Sequence, residues 1–276
     1  MADAVPAAVF AGTVAVGVTL AVERLGGRVG GLLGTLPSTI VPASLGIFAQ
    51  SANSEAFIKA MDLVPAGMLL NVLFLYAWRV LPLMLPRLSL IPTLLLMTAT
   101  SLCLWLLLAY VVVAGGNAWT EAGHSTFTWA LAPTCLMLLL GILGTRSARP
   151  APKGAFRVSL WVLLARGVFA ALAIGACVWI ASLGNPLAAG VVSVFPAIFL
   201  TTMVSVWLSQ GRAVQAGAVG PMMLGSLSVA GFALWARILM VEMGPWLGAL
   251  ASWAAAVATT TVPAWFWINS RSKGDG

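Results

Sequence analysis

The stretch GGRVGGLLGTLPSTIVPAS, residues 26–44, decides how this chain is read. Gly26, Gly30 and Gly34 recur every fourth residue, so on a helix they make one flat face. Two helix backbones can approach closely across such a face inside a membrane. Pro37 and Pro42 follow, and each lacks a backbone N–H and clashes with the carbonyl four residues back. A carbonyl freed in hydrocarbon needs a new partner, and Ser38, Thr39 and Ser44 are at hand. Two readings follow: a kinked, tightly packed helix, or a broken helix lining a solute site.

Composition sets the solvent. Of the 276 residues 61% are hydrophobic and 8% are charged, against about 25% charged in soluble domains. The chain reads as an integral membrane protein, multi-pass and all-α. The net charge of +7 then reports topology rather than nucleic acid, because Lys and Arg collect in cytoplasmic loops. Cys103, Cys135 and Cys177 fall in apolar runs without C-x-x-C spacing. They are expected as free core thiols, not metal ligands or disulfides. The start MADAVPAAVF has no basic n-region, so it is expected to open the first span and not to be a cleaved signal.

A spanning helix needs about 20 apolar residues. Nine candidates emerge, at about 5–23, 29–49, 60–80, 90–114, 126–144, 160–182, 187–208, 215–235 and 246–268. A polar loop at 115–125 carries the single histidine, His124, and a basic linker fills 146–157. With nine crossings, eleven of the 14 Lys and Arg share a side with the C-terminus; Lys59 and Arg237 lie opposite, and Arg166 lies inside span 6. The expectation is a cell inner-membrane protein with its N-terminus outside and its C-terminus cytoplasmic.

Residues 9–44 slide against 168–203 without a gap. Val9–Phe10–Ala11 meets Val168–Phe169–Ala170, Gly31 meets Gly190, and Pro37 meets Pro196. With three residues dropped, Pro65 meets Pro221 and AWRVL falls near LWARIL. Spans 1–4 would then recur as spans 6–9, and five crossings between the two starts turn the copies upside-down. The 1–2 loop holds Arg24 and Arg28 while its counterpart SLGNP is uncharged; the 2–3 loop mixes Lys59 with Glu55 and Asp62 while SQGRA carries Arg212 alone. The domains expected are a first repeat at 1–114, a loop, linking span and basic linker at 115–157, a second repeat at 158–268 and a tail at 269–276. In this architecture the chain resembles the drug/metabolite transporter plan of fused four-span units in opposite orientation. The likeness implies a solute site between the repeats, near the midplane, and no functional residue is carried over from it.

Enzyme chemistry needs positioned acids, bases or metals, and the inventory is thin. There is no H-x-x-x-H, no paired aspartate motif and no G-x-S-x-G. No enzyme activity, metal or cofactor is expected. None of the seven acids lies deep in a predicted span. Asp62 is read as a first-turn carboxylate beside Lys59, favoured by the helix dipole, and is also the gating candidate. Arg166 either snorkels to the interface or contacts substrate or a lipid phosphate. Pro37, Ser38, Thr39, Asn71, Pro196, Thr201 and Thr202 complete the substrate-binding candidates. Most other hydroxyls are expected to bond their own helix. Tryptophans near span ends, including Trp78, Trp161, Trp207 and Trp246, are expected in interfacial belts.

The function expected is a transporter or permease for a small polar or anionic solute, with the lipid bilayer and that solute as partners and no nucleic acid. The alternative is a non-transporting scaffold, assembly factor or lipid-handling subunit. It would bind partner helices, or a second copy of the chain as a homo-oligomer, through Gly26, Gly30 and Gly34.

Overall fold

The structure is a computed structural model. It describes residues 36–84, 89–146 and 160–272, with isolated positions between 6 and 16. The Gly26/Gly30/Gly34 face, most of span 1, the linker at 147–159 and the residues after 272 lie outside the described residues, as does the side chain of Arg166.

Every described element is a helix: α1 Ile40–Gln50, α2 Ser54–Met84, α3 Leu90–Glu121, α4 Thr126–Arg146, α5 Leu160–Ser182, α6 Pro186–Val192, α7 Ala197–Gln210, α8 Arg212–Gly225, α9 Leu227–Met243, α10 Pro245–Ala256 and α11 Val262–Ser272. Six segments are long and apolar enough to cross a bilayer: Ser54–Met84, Leu90–Glu121, Thr126–Arg146, Pro186–Leu208, Arg212–Met243 and Pro245–Ser270. Ile40–Gln50 and Gly167–Ser182 are shorter apolar helices. Six, not nine, is therefore the number among the described residues. The expected loop at 115–125 is mostly helix: α3 runs on through Glu121, and the connection is only 122–125.

Helix α2 is the axis of the bundle. It packs against α3, α4, α6, α8 and α9, and its core includes Leu63, Val64, Val72, Leu75 and Trp78, all fully buried. Helices α3 and α4 instead turn leucines outward: Leu95, Leu107, Leu131 and Leu139 are exposed. A soluble protein would pay for such a rim in aggregation; in hydrocarbon it is the ordinary lipid-facing surface. Cys103 and Cys135 sit on these rims and are exposed, so only Cys177 is the core thiol that composition suggested.

Small residues set the closest crossings. A Cβ added at Gly190 of α6 would overlap the carbonyl oxygen of Ala60 on α2. One at Gly220 of α8 would overlap the Gly144 carbonyl oxygen on α4. Without a hydrophobic force between helices in lipid, this backbone-to-backbone contact supplies the packing energy.

Two prolines mark discontinuities. The span Pro186–Leu208 is broken between α6 and α7 at residues 193–196, where Pro196 cannot donate to the preceding turn. Tight turns close the gap, with Phe195 N–H donating to Val192 O and Ala197 N–H to Phe195 O. Pro37 likewise stands outside regular helix, three residues before α1 begins. Near the C-terminus a π-helical turn, Val257–Thr261, lies just before Pro263, which has no N–H to donate to it.

The ion pairs and hydrogen bonds sort the helix ends. Arg79 donates to Gly144 O, and the Arg146 guanidinium lies over Trp267, so α2, α4 and α11 end together. Arg212 opens α8, eight residues before the Gly220–Gly144 crossing, and belongs to this basic end. Asp62, Thr126 and Arg237 meet at the other end.

Two pairs of segments that the sequence alignment equates also touch. Gly12, aligned with Ala171, packs on it: a Cβ there would lie 3.5 Å from Ala171 Cβ and 3.0 Å from Gly167 O. The contacts Gly175–Ala8 and Gly167–Val16 flank this point on either side, so the strip runs antiparallel. Helix α2 packs on its aligned counterpart α8–α9.

Candidate functional site

Three polar side chains on α2 tie the axis to its neighbours. The first is Asp62. Hydropathy places it in the opening turn of a span, but α2 begins at Ser54, so Asp62 is the ninth residue and is fully buried. That corrects the expectation of a first-turn carboxylate: Asp62 is a buried acid two turns into the helix. Its neighbour Lys59 pairs one turn back with Glu55 at 2.7 Å. Asp62 Oδ2 accepts from Thr126 Oγ1 at 2.5 Å, and Oδ1 lies 2.8 Å from Arg237 Nε. The Nε–H is not aligned on Oδ1, so this is an ion pair without a hydrogen bond. The Arg237 guanidinium also lies 4.3 Å from the centroid of Phe127, a cation–π contact. Thr126 and Phe127, consecutive at the start of α4, thus hold both members of the pair.

The second is Asn71, nine residues further along α2 and 2% exposed. Its Nδ2 donates to Val194 O at 2.7 Å, inside the α6–α7 break, and approaches Met68 Sδ at 3.4 Å. Its Oδ1 accepts from Trp105 Nε1 on α3 at 2.8 Å. One amide therefore takes up a carbonyl of the interrupted helix and an indole N–H, the re-satisfaction that lipid demands. The third is Trp78, whose Nε1 donates to Ser101 Oγ at 3.1 Å. Its ring meets Trp207 edge-on at 6.1 Å. Trp78 and Trp207 are buried, which corrects the interfacial belt expected for them, whereas Trp161 and Trp246 face outward.

The structure brings Asn71 to the break that Pro196 opens. Thr201 Oγ1 donates to Ala197 O at 2.9 Å within its own helix. Ser193 Oγ donates to Gly190 O at 2.7 Å, and Ser44 Oγ to Val41 O at 2.8 Å. Pro37 and Pro196 are buried; Ser38, Thr39 and Thr202 are half-buried. Among the described residues no group of three His, Cys, Asp or Glu could hold a metal ion.

Sequence reasoning missed Arg237, Thr126, Trp105 and Gln215. Arg237 was read as a loop cation, yet it lies inside α9 with apolar residues on both sides, LWARILM, and that flank was the available signal. Gln215 is fully buried; its Nε2 meets Met203 Sδ at 2.9 Å, and its Oε1 has no hydrogen-bond partner among the described residues. No known family model, curated protein or solved structure matches this chain.

Proposed function

We propose that the protein is a multi-pass inner-membrane transporter or permease, moving a small polar or anionic solute between two inverted halves. The observation that carries this reading is the break at residues 193–196 within an apolar span, seated on the central helix α2. Interrupted helices expose N–H and C=O groups that can take the place of a solute's water shell. Support for the inverted halves comes from Gly12 packing on Ala171 and from α2 packing on α8–α9, since equivalent segments should meet about a pseudo-two-fold axis. The sidedness follows from the basic end: Arg79, Arg146 and Arg212 gather there, which in this reading is the cytoplasmic side.

The test is uptake into proteoliposomes across a panel of small acids and polar metabolites, comparing wild type with Pro196→Ala and Pro37→Ala. Straightening the broken span should abolish uptake while the protein stays folded. Unchanged uptake by both folded variants would refute the broken-helix site.

One observation favours the scaffold reading instead. The hydroxyls of Thr201, Ser193 and Ser44 are already bonded to their own helices. In that reading no solute is moved, and the helix-packing faces recruit partner helices. Capture of a defined membrane partner that is lost with Gly30→Leu, together with no uptake of any solute, would decide for it.

A further inference from the structure

We propose that Arg237 is an oxyanion receptor at the acid-containing end of the bundle, taking a carboxylate or phosphate group on its Nη fork. This deepens the transport reading, and rests on it for the ligand being a solute. Asp62 is fully buried, whereas the Arg237 side chain is 19% exposed. Of the two side chains, Arg237 is therefore the one that can be reached from outside the protein. Only Nε is engaged with Asp62, and Oδ2 of that carboxylate is taken by Thr126. The two Nη groups have no acceptor among the described residues. Cζ of Arg237 lies 4.3 Å from the centroid of the Phe127 ring, a second contact that restrains the guanidinium.

A guanidinium edge presents parallel N–H donors in a geometry that matches two oxygens of one carboxylate or phosphate. Lysine would offer a point charge without that fork. The side chain is held at three points already: by charge at Nε, by the Phe127 ring and by its place in α9. Little ordering cost remains for the ligand to meet, which favours binding. Asp62 plays the competing anion. It keeps the guanidinium neutralised while the site is empty, and it weakens the hold on any incoming oxyanion. The pair therefore sets a moderate affinity, as release requires.

The test uses the full chain, purified in phospholipid-free maltoside, with thermal unfolding followed against sodium phosphate or sodium succinate. Sodium chloride at equal ionic strength is the control. Three forms are compared: wild type, Asp62→Asn and the double variant Asp62→Asn/Arg237→Gln, which replaces both charges by amides and strands neither. A fourth arm places each form in nanodiscs with and without phosphatidylglycerol. Saturable stabilisation of wild type, several-fold tighter in Asp62→Asn and gone in the double variant, is the expected result. If the soluble anions give it, the ligand is a solute; if only phosphatidylglycerol gives it, the ligand is a lipid headgroup, and the oxyanion site stands in both cases. Stabilisation that matches chloride in all forms, or that persists in the double variant, overturns the site. Uptake that survives in the double variant would sink the assignment of the ligand as the transported solute while leaving the transport reading intact. Anion binding without uptake of any solute would do the reverse.

Discussion

Replacing Arg237 alone by leucine strands a fully buried carboxylate. Breaking a buried ion pair in this way costs about 3–5 kcal/mol. Replacing Asp62 and Arg237 together by leucine should restore most of that loss, because neither charge is then left in a low-dielectric site. Thermal unfolding of the two single variants and the double variant closes the cycle; a double-variant loss equal to the sum of the two single losses would show that the charges do not interact. Asn71→Leu is the second test. It leaves Val194 O and Trp105 Nε1–H without partners, at about 1–3 kcal/mol each. The expected loss is larger than for Thr201→Val, where the hydroxyl only doubles a bond within its own helix. At this scale the sequence was least informative. Asn71 stood out as an amide in an apolar span, but its partners come from residues 34 and 123 positions away. Asp62 was misplaced because hydropathy starts the span at residue 60, whereas the helix continues back to Ser54.

Elements were easier to read, because twenty-residue apolar runs and prolines act locally. The break at Pro196 and the irregularity at Pro263 fall where a missing N–H demands them. What hydropathy could not supply was helix length beyond the hydrocarbon: α3 extends through Glu121 because its last polar turns still bond along the helix. Nor could it show which glycines mark crossings. The Gly190 contact with Ala60 joins segments far apart in sequence, and only the alignment of Gly190 with Gly31 singled it out. Gly190→Ala should therefore push α6 off α2, at a cost of about 1–3 kcal/mol or more. Gly175→Ala should be tolerated, since its added carbon meets Ala8 Cβ at an ordinary 3.5 Å. Comparing folded yield and unfolding temperature of the two variants checks this; equal behaviour would mean that the α2–α6 crossing is not tight.

At the scale of the molecule, the account holds that a helical unit packs against its own upside-down copy in a bilayer. Matching loops of the two copies must then face opposite sides. Ala52 lies before α2 and Ala213 is the second residue of α8, and both are exposed. Each can carry the single cysteine of a chain whose Cys103, Cys135 and Cys177 are replaced by serine or alanine. Labelling whole cells with a membrane-impermeant maleimide is the most direct measurement. The account predicts that Ala52→Cys reacts in intact cells and that Ala213→Cys reacts only after the membrane is permeabilised. Reaction of both from the same side would contradict it.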